Sequence, residues 1–292
     1  MAVDNIFRAS PSTRKHSFVD WVGKNRSLAI GCGLVIVVAI ACFVVPVLSS
    51  ADPNAVDANH RLEGISPEHP FGTDQFGRDV LSRFFHGGQI SLIVGLSSAA
   101  AATGLGLVVG ILAGYVNWLD QILMRIADGL LAIPGVLLGI GLMASLGPEV
   151  GNVIIAMAVV STPTMARLVR SRVISVKEET YIEAIKLQHP NFFRLVSLHI
   201  VPNILTTVVV QATFVFADAV IAEATLSFLG AGVPPPDASW GNMLADGKTL
   251  LFSAWWVAVF PALGLVTAVI GLNLAGDGLR DMLDPKTTRR LR

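Results

Sequence analysis

A chain of 292 residues is long enough for one large soluble domain, but 53% hydrophobic against 14% charged residues and a mean hydropathy of +0.65 place it in a membrane. The 21 Lys and Arg balance the 21 Asp and Glu, so no basic excess points to nucleic acid. Both cysteines, Cys32 and Cys42, fall in one apolar run on different helix faces, too far apart for a disulfide, and carry no redox or metal information.

A bilayer core about 30 Å thick requires roughly 20 helical residues at about 1.5 Å each. Six segments qualify: residues 28–48, 90–116, 122–146, 150–168, 204–229 and 254–274. The first has too long an apolar run and too long a polar leader for a signal peptide, and reads as a retained helix. Residues 51–88 form a loop too long for a simple turn. Its portion 78–85 is amphipathic and is expected to lie along the membrane surface, either capping a pathway or anchoring the second span. Gly106, Gly110 and Gly114 recur every fourth residue, a ridge that lets helices approach closely in lipid. Pro134 is expected to kink the third span, with Gly135 and Gly139 repeating the small-residue device. At the inner end of that span Arg125 and Asp128 share a helix face and are expected to pair beside Asp120, as are Asp277, Arg280 and Asp281 at the end of the sixth.

Between the fourth and fifth spans lies a polar stretch, 167–202. Ser175 to Glu178 spell S-x-x-E, a capping box that would start a helix, with Tyr181, Ala184, Ile185 and Gln188 as its mostly apolar stripe. His189-Pro190-Asn191 stops it, Asn191 can cap a second helix over 192–199, and Pro202 suits the opening of the next span. Further on, Asp218 and Glu223 lie inside the fifth span. A carboxylate at the bilayer centre costs about 2.5–3.5 kcal/mol on insertion scales, so each must face water, protein or a cationic ligand. A hydrogen-bonded structural carboxylate is the alternative for each. Residues 241–249 imitate a nucleotide-binding loop, but five residues rather than four separate the glycines and no strand precedes them.

The positive charges are asymmetric. With the N-terminus inside, every Lys and Arg except Arg61, Arg78, Arg83 and Lys248 falls in a cytoplasmic segment, which puts both termini and the 167–202 loop in the cytoplasm.

That loop resembles the EAA loop of permease subunits from binding-protein-dependent ABC importers. Glu183, Ala184 and Pro202 match the general pattern directly; Ile185, His189, His199 and Val201 depart from it, and the closing His199 to Pro202 is similar to a peptide-permease variant. Phe71 to Arg83 resembles the G-T-D-x-x-G-R-D-x-x-S-R signature of the dipeptide, oligopeptide and nickel subfamily. Leu226 to Gly230 with Pro234-Pro235 and Trp240-Gly241, and Gly276 to Pro285, resemble two further segments of it. The resemblance implies an all-α polytopic membrane protein of about six transmembrane helices with the type I ABC importer transmembrane fold. Residues 1–88 would hold the tail, first helix and external loop, and 89–292 the permease core. The implied function is a C-type permease subunit moving di- or oligopeptides across the cytoplasmic (inner) membrane, with nickel chelates or oligosaccharides as alternatives.

Its implied partners are a second homologous permease, two cytoplasmic ATPase subunits, an extracytoplasmic binding protein and membrane lipid. No cofactor is expected on this chain; ATP and Mg belong to the ATPases. By the same resemblance the ATPase-contacting residues are Tyr181, Glu183, Ala184, His189, Phe193, Ile200 and Pro202. Asp218 and Glu223 are the pathway candidates, and no catalytic or metal residue is expected. A proton-coupled secondary transporter is the remote alternative, lacking any use for a docking loop and any visible inverted repeat. An intramembrane hydrolase is disfavoured because all six histidines lie outside the spans.

Overall fold

Long apolar runs in lipid have no water to satisfy their amides, so each closes its own hydrogen bonds as a helix. The computed structural model describes residues 25–49 and 51–283. Its helices are α1 (Arg26–Leu48), α2 (Val80–Tyr115), α3 (Asn117–Ala132), α4 (Gly135–Leu146), α5 (Val150–Lys177), α6 (Thr180–Lys186), α7 (Phe192–Phe228), α8 (Trp240–Gly247) and α9 (Trp256–Leu283). Among the described residues there is no strand. Five helices are long and apolar enough to cross a membrane, and α3 with α4 makes a sixth span if the bent pair counts as one. The basic tail before Asn25 and the end of the closing segment, from Asp284, lie outside the described residues.

The small-residue ridge of α2 seats against α5. A methyl group at Gly106 would sit 2.6 Å from Met165 Cβ, one at Gly110 2.7 Å from the Ala166 carbonyl oxygen, and one at Gly114 2.8 Å from Val173 Cβ. Around this contact Ala102, Met165, Val169, Val173, Ile204 and Val208 form the main buried core, and α1 lies outside it against α9.

Four expectations are corrected. First, α2 begins at Val80 rather than at 90, so 80–85 is its first turns and not a surface helix. Asp79 caps it, accepting from the Ser82 amide at 2.7 Å, and Val80 and Phe84 bury themselves against Phe71 and the Trp256 region instead of lipid. The helix therefore runs straight through residues 88 and 89, on either side of the expected start of the permease core. Second, the third span is broken, with α3 and α4 meeting at 97°. Pro134 forces Ile133 into an extended conformation (φ −91°, ψ 129°), and that ends α3 outright. Third, Asp128 pairs with Arg167 at 2.6 Å rather than with Arg125, and Asp120 takes a two-pronged bond from Arg170, its Nη2 arm at 2.7 Å. The partners are on α5 because α3 lies along it, which brings those guanidinium groups closer than a neighbour on the same helix. Fourth, the Ser175–Glu178 capping box does not form. Helix α5 continues to Lys177, since Val173 and Val176 still pack on the core, and the Ser175 hydroxyl donates back to the Ser171 carbonyl at 3.1 Å.

The signature at 71–83 forms a cap over the end of the bundle opposite α6. Asp74 accepts from the amides of Phe76 (2.8 Å) and Arg78 (3.0 Å) and from Arg78 Nε (2.6 Å). The Thr73 hydroxyl accepts from the Glu63 amide and donates to the His60 carbonyl, while the Thr73 carbonyl accepts from Trp256 Nε1 at 3.0 Å. Arg83 donates to the Pro53 carbonyl and to Asn54 Oδ1, both at 3.2 Å. Gly77 holds φ 74° with its Cα pressed against the Asp57 backbone, a place no side chain could share. At the rim, the hydrogen bond between Asp57 and His60 (2.8 Å) lowers the carboxyl and raises the imidazole from their ordinary values. Thr73, Asp74, Gly77, Arg78, Asp79 and Arg83 of the motif are thus occupied in folding the cap.

Candidate functional site

The face carrying 178–191 is built on the inner ends of α2 and α5. Lys177 Nζ donates to the Gly114 carbonyl at 3.1 Å, Lys186 Nζ to the Lys177 carbonyl at 3.0 Å, and Phe192 packs edge-on against Tyr115. From that base α6 projects as a short helix, anchored by Ile182, which is wholly buried, and Ile185. Of the expected stripe Ile185 packs on the core, joined there by Ile182, while Tyr181, Ala184 and Gln188 are exposed with Glu183. Helix α6 ends where His189 takes φ 48°, the left-handed conformation, and donates its amide to the Lys186 carbonyl at 3.0 Å. Histidine therefore makes the turn in the conformation a glycine would use.

After Asn191, which occupies the cap position without a side-chain bond, the chain enters α7 directly. The expected second helix over 192–199 is not separate: it continues through one π-helical turn, Val196–Ile200, into the fifth span, with Pro202 in the first turn after it. The turn rotates Ile200 into the core beside Leu195 and Ile204. Ile200 is 0% exposed and supports the loop from beneath, so it is corrected as a contact residue. Tyr181, Glu183, Ala184, His189, Phe193 and Pro202 all reach the surface, and the Tyr181 hydroxyl accepts from Asn203 Nδ2 at 2.8 Å. Two neighbours were missed. Leu187 is 81% exposed and Leu198 58%, apolar side chains left on the surface like Phe193 at 76%. A leucine at the polar end of a short helix was the available signal for Leu187. The π turn that exposes Leu198 left none.

The two intramembrane acids of α7 differ sharply. Glu223 is 0% exposed, accepting from Ser91 Oγ of α2 at 2.8 Å and from Ser227 Oγ at 2.6 Å. Those serines in turn accept from the Trp240 amide (3.2 Å) and the Val233 amide (3.1 Å). Glu223 is the hub that ties α2, α7 and α8 together, which matches the structural reading left open for it. Asp218 instead lines a cavity of about 310 Å³ at the α3–α4 elbow, with Ser161 and Thr164 of α5 and Ala222. The glycine-bearing segment at 241–249 is α8 and its following turn, capped by Ser239, and a methyl group at Gly241 would sit 2.5 Å from the Ala224 carbonyl oxygen. No side chain would fit there, which accounts for the Trp240-Gly241 pair without any phosphate.

Residues 106–289 match the family described as binding-protein-dependent transport system inner membrane component. The chain is 43% identical over 267 residues to a dipeptide transport system permease of Alkalihalophilus pseudofirmus, covering 90% of this chain and 87% of the relative. It is 42% identical over 226 residues to a di/tripeptide transport system permease of Pseudomonas aeruginosa, 77% of this chain and 75% of that one. A glutathione transport system permease of Pectobacterium atrosepticum is 39% identical over 261 residues, 89% and 87% of the two chains.

Proposed function

Because the chain belongs to the inner-membrane permeases of binding-protein-dependent ABC transport systems, we propose that it is one half of the membrane pore of an importer for short peptides. The peptide assignment rests on what the relatives are named for: dipeptides, di- and tripeptides, and glutathione. A second homologous permease completes the pathway, an extracytoplasmic binding protein delivers the peptide to the cap face, and two cytoplasmic ATPases, carrying ATP and Mg, drive the cycle. The segment at 241–249 is a capped helix and turn, not a nucleotide loop.

The observation that carries the coupling is the face at 178–191. An isolated seven-residue helix is unstable by itself. Here it is held on the buried Ile182 and the partly buried Ile185, while Tyr181, Leu187, Phe193 and Leu198 stay exposed on either side of a left-handed turn. Apolar residues so presented on a polar face form the core of a docking patch, and Glu183 beside them supplies a charge for the rim. An ATPase gripping α6 pulls on α5 through the Lys186–Lys177 bond and on α7 through the short connection to Phe192. Both helices line the elbow cavity.

Glu183→Arg tests this. Glu183 is exposed, so its replacement leaves folding and membrane insertion intact. Reversing its charge should weaken recovery of the ATPases with the purified permease on the order of tenfold, about 1.4 kcal/mol. A fully recovered complex with normal uptake removes Glu183 from the interface.

A further inference from the structure

At the elbow cavity stands a carboxylate that nothing in the described chain answers. Asp218 sits on α7 ten residues short of its end at Phe228, about 15 Å along the helix and so well inside the bilayer. No hydrogen bond or ion pair engages it among the described residues, in contrast to Glu223 one and a half turns on, whose two oxygens are both bonded. The side chains lining it are mostly apolar, among them Leu131, Pro134, Leu138 and Ala222, and the other polar side chains are Ser161 and Thr164.

The chemistry of that set selects its ligand. One carboxylate among the side chains supplies little charge for a hard divalent ion, and no group of three or more His, Cys, Asp or Glu exists among the described residues to hold a softer one. A primary ammonium needs only this much: one charge-assisted hydrogen bond, neutral acceptors for its remaining protons, and apolar walls for the carbon attached to it. At about 310 Å³ the space is at the lower end of small-ligand pockets, enough for a chain terminus and its first side chain. Smooth aliphatic walls do not discriminate among side chains, so the charge common to all peptides is what such a site would read.

Resting on the reading of the chain as a peptide permease, we propose that Asp218 is where the permease itself holds the ammonium end of a peptide in transit. The bend between α3 and α4 creates the site, because Pro134 turns the chain away and opens α7 at that level. Substrate selection by the binding protein is thereby supplemented by a second reading inside the membrane.

The test uses the complete importer in proteoliposomes, with a defined mixture of labelled di- and tripeptides bearing amino termini. Asp218→Asn should lower uptake about tenfold while basal ATP hydrolysis and recovery of all subunits stay at wild-type levels. Asp218→Glu should retain most uptake. In Asp218→Cys the new thiol should react with the cationic trimethylammonioethyl methanethiosulfonate, and the peptide mixture should slow that reaction severalfold, with the unsubstituted protein as control. Wild-type uptake by the Asn variant, or a thiol that the peptides do not protect, overturns the proposal alone. Loss of the second permease from the Asn variant also overturns it, by assigning Asp218 to a subunit contact. Failure of the unsubstituted importer to move any peptide in the mixture overturns the peptide reading and the proposal together.

Discussion

His189, one of the departures from the loop pattern this chain resembles, adopts φ 48°. For a residue with a Cβ the left-handed conformation costs about 1–2 kcal/mol, with histidine among the residues that enter it more readily than most. The turn is retained because the chain on its far side is fixed, with Phe192 already packed against Tyr115. His189→Gly should therefore preserve recovery of the ATPases and slow hydrogen exchange of the 187–189 amides, while His189→Val, β-branched and poorly suited to positive φ, should reduce that recovery severalfold. Equal recovery in both variants would show that the turn's shape is irrelevant to docking. The sequence identified the turn, through His-Pro-Asn, but not its handedness, because a histidine gives no direct sign of positive φ. The same limit applies to Ile200. Its place in the motif was legible, whereas its burial depends on a π turn that costs the pattern one residue of register.

At the scale of elements, bilayer thickness made the spans legible, and their ends were not. Residues 80–89 read as loop because Arg83, His86, Gly87 and Gly88 interrupt the apolar run, yet the Asp79 cap and the Phe71–Trp256 cluster carry the helix through them. Pro134 announced a bend, but its 97° angle is set by where α3 is tied, through Asp120 to Arg170 and Asp128 to Arg167. The glycine ridge was the most legible contact, since close approach leaves only one residue type available. Gly110→Val should overpack the α2–α5 seam and cost about 1–3 kcal/mol or more, read as a lower melting temperature in detergent. A methyl group on Gly104 of the same helix would meet nothing within 4 Å, so Gly104→Ala should be neutral or stabilising by up to about 1 kcal/mol. A destabilised Gly104→Ala alongside a tolerant Gly110→Val would reverse the assignment of the packed face.

For the whole molecule, charge and geometry divide the protein into the same two ends. One end holds Arg167, Arg170, Arg172, Lys177, Lys186 and Arg194 on and around the α5–α7 connection; the other holds Arg61, Arg78, Arg83 and Lys248 in and beside the cap. The two sets differ in kind. In the cap, Arg78 and Arg83 are largely buried and engaged by Asp74, Pro53 and Asn54, so they serve folding and exert little pull on orientation. Around α6 the side chains of Arg172 and Arg194 remain exposed, as a retained cytoplasmic face requires. The loop face should therefore be cytoplasmic and the cap extracytoplasmic. Gln188 and Asp237 are exposed at opposite ends, each outside the helix packing. In intact cells an impermeant thiol reagent should label Asp237→Cys and spare Gln188→Cys, and permeabilising the membrane should make both react. Labelling of Gln188→Cys alone in intact cells would invert the molecule, put α6 out of reach of any cytoplasmic ATPase, and leave the cap facing the wrong side to receive a peptide.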